Sequence, residues 1–398
     1  MADGPLDGVT VVDLGQIYNA PYATLLMALA GARVIKIEPL TGENLRGRGR
    51  VKGAGAPFAM LNSNKVGATL NLKHPRGVEL LGQMAERSDV LVENFRPGVM
   101  DRLGVGADVL LARNPRLIYA SGSGYGTSGP YRDLPAMDLT VQAMAGIMSI
   151  TGHPDREPVK AGPALGDFLA GIHLYGAIMT ALYQRSNTGV GTRVEVAMLD
   201  SVYPSLMSAL GLYFGGALGG GEPARQGNRH SGLAESPYNA YPTTDGHVAL
   251  ICVSEGHWVG LTTAMGRPDL ATDPRYTTRV DRVARMDEVD ELVSDWTRGF
   301  TRVELVKLLT ANRVPCAPVR EISEVVHDEH LHQRGMLHTL DHPEFGEIVV
   351  PHSPLRIGEG QLPLRPSPTL GQDNEAVYGD WLQLSREEID DLRAEGVL

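Results

Sequence analysis

Cysteine is nearly absent from this chain, which has only Cys252 and Cys316 among its 398 residues. Two thiols so far apart in sequence exclude a disulfide framework and a cysteine-rich metal site, and such scarcity is typical of a reducing cytosol. The first residues, MADGPLDG, also lack the basic and apolar pattern of a signal peptide. We therefore expect a cytoplasmic protein.

An excess of positive charge is lacking as well. The chain carries 36 Lys and Arg residues against 47 Asp and Glu residues, for a formal net charge of −11. This acidic balance makes nucleic acid and anionic membranes unexpected partners, because both attract basic surfaces. The longest apolar run, residues 168–183, is too short and too interrupted for a membrane span. We expect neither a nucleic-acid nor a membrane partner.

Motifs for metals and nucleotides are also missing. The first strand-to-helix turn, GQIYNA at residues 15–20, lacks the GxGxxG pattern of dinucleotide-binding proteins. The sequence contains no Walker A, HExxH or GxSxG motif. His327, His330 and His332 lie close together but match no recognised metal-ligand spacing. We expect no metal and no redox cofactor.

The first half of the chain instead alternates short apolar strands with helices. Residues 9–14 and 33–37 are predicted strands that flank a helix at residues 21–29, which makes a parallel β-α-β unit. The alternation continues to a strand at residues 192–196 and predicts an α/β fold. A glycine-rich loop at residues 122–130 follows a strand, where open α/β sheets bind ligands; an ordinary turn is the alternative interpretation.

The pattern changes after a glycine-rich break at residues 215–221. The sequence Thr243-Thr244-Asp245-Gly246 lies between two short apolar runs and predicts a hairpin. A strand at residues 314–319 resumes the first pattern. We predict a large domain from residues 1–214, a small α+β domain from residues 215–313, and a C-terminal part, residues 314–398, that completes the large domain.

Asp167 stands where a Gly/Pro-rich loop meets the apolar helix at residues 168–183. An apolar surface on every side predicts a buried helix. One interpretation is that Asp167 caps this helix, because Asp is among the preferred N-cap residues. The other is a nucleophilic carboxylate on a rigid support, with Gly166 and Gly171 allowing a substrate to approach closely.

Several stretches together resemble the family III CoA-transferases, a group that includes 2-methylacyl-CoA racemase. The resemblance covers nearly the whole chain, and its most specific part is VENFRPG. The matching stretches are VVDL (11–14), AGARVIKIE (30–38), NK (64–65), LNLK (70–73), VENFRPGVMDRLG (92–104), GPALGDFLAG (162–171), DPRY (273–276) and VPCAPV (314–319).

The resemblance implies an interlocked homodimer with a Rossmann-like large domain built from both chain ends. It also implies that CoA moves between an acyl-CoA thioester and a free carboxylic acid. Asp167 matches the family's catalytic aspartate, which forms an acyl anhydride and then an aspartyl-CoA thioester. Coenzyme A and its thioesters would thus be substrates rather than resident cofactors.

The CoA site can be carried over onto the residues that match. They are Leu70, Lys73, Asn94, Phe95, Arg102 and Leu103. Lys73 and Arg102 would meet phosphates and Phe95 the adenine. Ordinary surface charge is the alternative interpretation for the two cations, and core packing is the alternative for Phe95.

Two departures from the family pattern concern catalysis. The transferase glutamine falls at Tyr18, with Gln16 two residues away; a tyrosine hydroxyl would donate to an oxyanion without the geometry of an amide. The racemase branch has a His-Asp pair where this chain has Met137-Asp138, and methionine transfers no protons. We therefore place Tyr18 and Asp138 beside Asp167 in the predicted catalytic site.

CoA transfer is the leading functional interpretation, and two alternatives remain. One is an acyl-CoA racemase or epimerase on the same fold, and the other is a non-catalytic acyl-CoA-binding homologue. The basic run of Arg46, Arg48, Arg50 and Lys52 would suit a dicarboxylate, although such a run is usually a solvated loop.

Overall fold

The computed structural model describes residues 4–47, 55–215, 224–358 and 360–398. Most of the predicted glycine-rich break, and Arg48, Arg50 and Lys52 of the basic run, lie outside these ranges. The chain divides into two compact units. Unit 1 comprises Met1–Met144, Pro163–Val202 and Asp328–Leu398, and unit 2 comprises Ala145–Gly162 and Tyr203–His327.

A six-stranded parallel sheet forms the centre of unit 1, with the strand order β3-β2-β1-β4-β5-β6. Its strands are β1 (Thr10–Asp13), β2 (Arg33–Glu38), β3 (Val66–Thr69), β4 (Val90–Glu93), β5 (Ile118–Ser123) and β6 (Thr192–Ala197). This order is that of a doubly wound Rossmann sheet. The prediction of an α/β fold is confirmed.

Helices cover both faces of this sheet because consecutive strand residues point to opposite sides. Val11 and Val34 face a core beneath the helices at residues 19–29 and 165–188, whereas Val12 and Ile35 face the core beneath the helices at residues 75–86 and 107–113. The helices of unit 1 are α1 (Asn19–Leu29), α2 (Asn44–Gly47), α3 (Ala56–Leu61), α4 (Pro75–Glu86), α5 (Val99–Arg102), α6 (Ala107–Arg113), α7 (Asp138–Met144), α9 (Leu165–Thr188), α10 (Met198–Val202), α17 (Glu329–Gln333) and α18 (Arg386–Ala394).

The C-terminal segment covers the edge strand β3. Asp373 accepts the Gly67 N–H at 2.7 Å, and Asn374 accepts the Thr69 N–H at 2.9 Å. A π-helix, Glu375–Trp381, follows and places the Tyr378 hydroxyl 2.6 Å from the Thr69 carbonyl oxygen. The polar groups of this edge are thereby paired, which removes an open edge that would template aggregation.

Unit 2 contains a three-stranded antiparallel sheet of β7 (Tyr238–Thr243), β8 (Gly246–Ile251) and β9 (Cys316–Pro318). The predicted hairpin is therefore confirmed. The helices of unit 2 are α8 (Ile147–Ile150), α11 (Met207–Phe214), α12 (Glu255–Ala264), α13 (Arg279–Val283), α14 (Met286–Thr297), α15 (Arg302–Ala311) and α16 (Ile322–Val326), with 3-10 turns at Tyr203–Leu206 and Pro268–Ala271.

The unit boundaries differ from the predicted domain boundaries. The units divide after residues 144, 162, 202 and 327, whereas the sequence predicted two divisions, after residues 214 and 313. Strand pairing explains why the last boundary falls after residue 327 rather than after residue 313. Because β9 hydrogen-bonds to β8, this strand belongs to unit 2 and does not return to the parallel sheet.

Two apolar segments are broken into separate helices. α7 and α8 are divided near Gly146, whose φ is 85°. α10 and α11 are divided by the 3-10 turn that contains Pro204. A hairpin of β10 (Leu337–His342) and β11 (Gly346–Pro351) was not predicted, because its half-buried strands carry many polar residues.

The 24-residue helix α9 is not buried on every side, contrary to prediction. Leu174 and Ile178 are fully buried, whereas Ile172 is 48% and Tyr183 73% exposed. By length and composition, α9 is the one helix of the described ranges that meets the criteria for crossing a membrane, a test that core helices also pass. Its buried side packs against α1 and the sheet within unit 1.

Candidate active site

A cavity of about 460 Å³ lies beyond the carboxyl ends of β1, β4 and β5 in unit 1. The order of the strands reverses between β1 and β4, and doubly wound sheets bind ligands at this reversal. Residues from the β1–α1 loop, the segment after β4, and the glycine-rich loop after β5 line the cavity together with Asp167. The position of the glycine-rich loop agrees with the interpretation of that loop as a binding loop.

Asp167 occupies the first turn of α9 rather than its N-cap. The N-cap is Ala164, which makes no side-chain capping bond, and the helix begins at Leu165. Asp167 is only 9% exposed and lines the cavity. The interpretation of Asp167 as an N-cap is therefore wrong, because another side chain supplies the capping contact.

That contact comes from Asp138, the first residue of α7. Its Oδ1 accepts the Gly166 N–H at 2.8 Å, and its Oδ2 accepts a hydrogen bond from Gln142 Nε2 at 2.7 Å. Gly166 leaves space for this approach, since a Cβ at that position would lie 3.2 Å from Asp138 Oδ1. Asp138 itself does not line the cavity.

Burial is the main cause that raises the pKa of Asp167, which reaches about 7. The nearby Asp138 carboxylate raises it further, and a backbone hydrogen bond from Asn19 acts in the opposite direction. A carboxylate with a raised pKa is more basic, and therefore a better nucleophile, than an exposed aspartate. A substantial fraction is still ionised near neutral pH.

The N-terminus of α1 faces Asp167. Asn19 is the first residue of this 11-residue helix, whose first turn contains no acidic residue. The close approach of α1 and α9 depends on Gly171, because a Cβ there would lie 2.7 Å from the Asn19 carbonyl oxygen. The positive end of α1 thus favours an anion at Asp167, and Gly171 serves helix packing rather than substrate access.

Buried side chains fix the loop between β1 and α1. The Gly15 N–H donates to Asp13 at 2.7 Å, and Lys36 donates to the Gly15 carbonyl oxygen. Ile17, a β-branched residue, has a φ of 63°, which is a strained conformation for such a residue. Its N–H donates to Glu43 at 3.1 Å.

A buried ion pair anchors this loop from below. Lys65 Nζ donates to Asp13 Oδ2 at 2.9 Å and to Asn62 Oδ1 at 2.9 Å. Burial lowers the pKa of Lys65 to about 8 against the opposing effect of Asp13. Because breaking a buried pair leaves an uncompensated charge, this network holds the loop in one conformation.

Tyr18 does not line the cavity. Its ring stacks on Phe168 with centroids 5.7 Å apart, within a cluster that includes Tyr22. Gln16 does line the cavity, although its side chain is two residues from the position that matches the family glutamine. Of these two side chains, only that of Gln16 therefore lines the cavity.

Asn94 binds the protein backbone. Its Oδ1 accepts the Gln16 N–H at 2.8 Å, and its Nδ2 donates to the Gln16 carbonyl oxygen at 2.9 Å. These two bonds join the ends of β1 and β4 at the strand reversal. Asn94 lines the cavity while it positions Gln16.

A second cavity of about 510 Å³ adjoins the first within unit 1 and shares Gln16, Phe95 and Val99 with it. Four residues predicted to bind CoA line this second cavity, and they are Leu70, Lys73, Phe95 and Leu103. Leu70 is 2% exposed and also belongs to the core, and Phe95 and Leu103 are partly buried against that core. Arg102 lines neither cavity and lies over Gly98, since a Cβ there would be 3.2 Å from its Nη1.

Neither the histidine cluster near residue 330 nor Arg46 of the basic run lines the first cavity. Within the described ranges no group of three or more His, Cys, Asp or Glu side chains is arranged to hold a metal ion. Arg46, the described member of the basic run, pairs with Glu38 at 2.8 Å and lies over the Phe58 ring. Arg46 is thus already engaged within the protein.

Asn19 was missed by the sequence analysis. It is 2% exposed and lines the first cavity beside Asp167. Its sequence position, one residue after Tyr18 at the start of a predicted helix, was the available signal. No local pattern shows that the β1–α1 loop turns this side chain toward Gly122.

Comparison with known proteins adds a family to this geometry. The model of CoA-transferase family III matches residues 6–374. The chain is 37% identical over 406 residues to formyl-CoA:oxalate CoA-transferase of Streptomyces avermitilis, with 99% of each chain covered. It is 34% identical over 404 residues to the succinyl-CoA–L-malate CoA-transferase beta subunit of Chloroflexus aurantiacus, covering 99% of this chain and 98% of that one.

The fold of this chain resembles the solved structure of a CaiB/BaiF family protein from Brucella suis. The TM-score is 0.82 at 32% sequence identity, and the alignment covers 95% of this chain and 99% of that chain.

Proposed function

This chain belongs to CoA-transferase family III, and from that membership we propose that it transfers CoA through covalent intermediates on Asp167. The observation that carries the proposal is the position of Asp167. It is a buried carboxylate with a raised pKa that lines a cavity at the strand reversal, opposite the N-terminus of α1.

The first half of the reaction loads the enzyme. The Asp167 carboxylate attacks the thioester carbonyl carbon of the donor, the C–S bond breaks, and CoA leaves as the thiolate. The product is a mixed anhydride. The thiolate then attacks the Asp167 side of the anhydride, which releases the donor acid as a carboxylate and forms an aspartyl-CoA thioester.

The second half repeats these steps in reverse. The acceptor carboxylate attacks the carbonyl carbon of the aspartyl thioester and expels CoA thiolate. The acceptor and Asp167 are then joined in a second anhydride. The thiolate then attacks the acyl carbon of the acceptor, and Asp167 leaves as a free carboxylate. No net proton is consumed. The buried setting of Asp167 limits the access of water, which would hydrolyse either anhydride.

A dicarboxylic acid is the acceptor class that we propose. The names of the two relatives above specify oxalate and L-malate, both dicarboxylic acids. Arg96 and Arg132 line the first cavity and are suited to hold the carboxylate that does not react.

We place the nucleotide end of CoA in the second cavity. Lys73 lines it and is exposed, which suits a phosphate contact, and Phe95 borders both cavities. Arg102 is also exposed, and its guanidinium can reach a phosphate only from outside that cavity. A pantetheine arm passing Phe95 would bring the thioester toward Asp167.

We further propose the interlocked homodimer, in the cytoplasm, with a large domain that uses both chain ends. Apolar side chains are exposed on α9 of unit 1 and, separately, on α11 of unit 2. Tyr183 of α9 is 73% exposed, and Met207 and Phe214 of α11 are 67% and 74% exposed. A second chain would bury such surfaces.

The racemase alternative is not favoured. Met137 lines the cavity, but its thioether accepts no proton at neutral pH. The named relatives are transferases.

A substrate panel tests the proposal. The enzyme is incubated with formyl-, acetyl- and succinyl-CoA and with matched mono- and dicarboxylic acids, and exchanged products are measured by mass spectrometry. We expect exchange to dicarboxylic acids. Arg132→Ala should raise the KM for the diacid, whereas the exposed control Arg298→Ala should not. Preference for monocarboxylic acids would refute the substrate class, and the absence of any exchange would refute the transferase reaction.

A further inference from the structure

The side-chain amide of Asn19 is buried in the first cavity without a protein partner. Asn19 is 2% exposed, and its Oδ1 makes no hydrogen bond within the described part of the chain. Nearly all buried polar groups in folded proteins are hydrogen-bonded, and an unsatisfied one destabilises the fold. The amide nitrogen of the same side chain is the atom with donors to offer a ligand, and Asn19 lines the cavity.

Neighbouring residues leave room for this amide rather than bind it. A Cβ at Gly122 would lie 2.9 Å from Asn19 Oδ1 and 3.3 Å from both Cγ and Nδ2. Gly122 stands at the carboxyl end of β5 and lines the same cavity. The amide is thus held between β5 and α1 at the wall that contains Asp167.

The backbone of the same residue already acts on Asp167. Its hydrogen bond lowers the pKa of the Asp167 carboxyl against the effect of burial. Asn19 also begins α1, where the helix dipole favours negative charge. The backbone N–H of Asn19 and the positive end of α1 would therefore both favour negative charge on an oxygen beside Asp167.

We propose that the Asn19 side-chain amide donates a hydrogen bond from Nδ2 to the carbonyl oxygen of the acyl group that Asp167 attacks. Nδ2 carries both donors of the amide, whereas Oδ1 can only accept. Asn19 is then a catalytic residue that touches the reacting group. This inference rests on the proposed function, because it requires attack by Asp167.

The hydrogen bond acts when charge develops. As the Asp167 oxygen bonds to the thioester carbonyl carbon, the carbonyl electrons move onto its oxygen, and the Nδ2–H stabilises that negative charge. Collapse of the tetrahedral intermediate re-forms the carbonyl and expels CoA thiolate. Because the donor is already positioned and shielded from water, it requires little reorganisation during the reaction.

Two substitutions test the role. Asn19→Ala removes the donor, and Asn19→Asp keeps the shape of the side chain while offering only acceptors once ionised. The rate at which donor acyl-CoA labels Asp167 is measured by rapid quench without acceptor, together with CoA affinity and melting temperature. Asn312→Ala is the matched control, since its Nδ2 bonds the Leu308 carbonyl oxygen at 2.9 Å in unit 2.

We expect Asn19→Ala to slow labelling about 10²–10³-fold, the usual effect of removing one oxyanion donor. Its CoA affinity and melting temperature should be maintained, since the lost amide is unpartnered. Asn19→Asp should be at least as slow, and Asn312→Ala should label at the normal rate.

Labelling of Asn19→Ala at the wild-type rate would overturn the inference while leaving the proposed mechanism intact. A parallel loss of CoA affinity or melting temperature would assign Asn19 a structural role and overturn it as well. If the wild-type protein itself shows no labelling at Asp167, the proposed function fails first.

Discussion

Burial and the Asp138 carboxylate both disfavour the charged form of Asp167, yet the proposed chemistry needs that form. The folded protein therefore holds an ionised group at a cost that an exposed aspartate would not have. The strained φ of Ile17 and the unpartnered amide of Asn19 lie on the same cavity wall. Concentration of such unfavourable features at one place is typical of a site built for binding or catalysis.

Asp167→Asn should stabilise the protein at neutral and alkaline pH. The pKa of Asp167 is about 7 in the fold against an ordinary 3.8, so the folded state binds more protons and wild-type stability is lost as pH rises between these values. The advantage of Asn should grow over that range and level off above pH 7 at on the order of 2–4 kcal/mol. Urea unfolding across pH measures this.

Asp108→Asn is the control, because Asp108 also lies in the first turn of a helix but is exposed. Because this side chain is exposed, Asp108→Asn should change the free energy of unfolding little. An advantage of Asp167→Asn that was independent of pH would contradict the raised pKa.

Gln16 and Tyr18 should differ in their contribution to transfer. Gln16→Ala removes an amide from the cavity and should lower kcat/KM by about 10-fold or more. Tyr18→Phe keeps the ring that stacks on Phe168 and should change kcat/KM little. Steady-state kinetics of both variants measure this, and the reverse ranking would restore Tyr18 as the family glutamine's replacement.

At the level of elements, the site depends on how closely α1 packs against α9. Gly171 is buried between them, and the ring of Tyr22 lies 3.2 Å from the position of a Cβ at Gly171. This spacing brings the start of α1 to Asp167. The loop before α1 is held by hydrogen bonds to Asp13, Lys36, Asn94 and Glu43.

Gly171→Ala should therefore separate the two helices. We expect a loss of about 1–3 kcal/mol in the free energy of unfolding, as in other overpacked cores, and a lower kcat. Gly256→Ala in α12 is the control, since a Cβ there meets only Ser254 Oγ at 3.8 Å, and it should be neutral or slightly stabilising. Denaturant unfolding and transfer assays compare the two. An unaltered Gly171→Ala protein would show that α1 tolerates displacement.

At the level of the whole molecule, the sequence predicts the parallel sheet well because its strands are short apolar runs between helices. The prediction fails where the pairing of strands that are far apart in sequence determines the fold. The segment near Cys316 reads as a strand, but only its pairing with β8 assigns it to unit 2. The exposed side of α9 could not be foreseen either, since apolar composition does not distinguish a core from a surface that another chain covers.

The residues of the candidate site likewise divide into those that the local sequence indicates and those that depend on long-range contacts. Asp167 was identifiable from its glycine setting and from the family resemblance. Asn19 was not, and the sequence placed Tyr18 ahead of Gln16, because the orientation of these side chains depends on the loop conformation that the buried network around Asp13 imposes. The predicted CoA residues fall partly together in the second cavity, and Arg102 falls outside it.

The exposed apolar residues of α9 and α11 lead to a prediction about assembly. Interlocked chains separate only after substantial unfolding, so the dimer should persist at nanomolar protein, as measured by mass photometry. Tagged and untagged dimers should not exchange subunits unless denaturant is added. Reversible dissociation into folded monomers would contradict the interlocked arrangement.

Covalent labelling at Asp167 is the most direct test of the central claim. The protein is given acyl-CoA without acceptor, treated with hydroxylamine or borohydride, digested, and examined by peptide mass spectrometry. We predict modification of the peptide that contains Asp167, and no modification or transfer in Asp167→Asn, because an amide is a poor nucleophile. Transfer by a sequence-verified Asp167→Asn protein, or a wild-type protein that is never labelled at Asp167, would contradict the account.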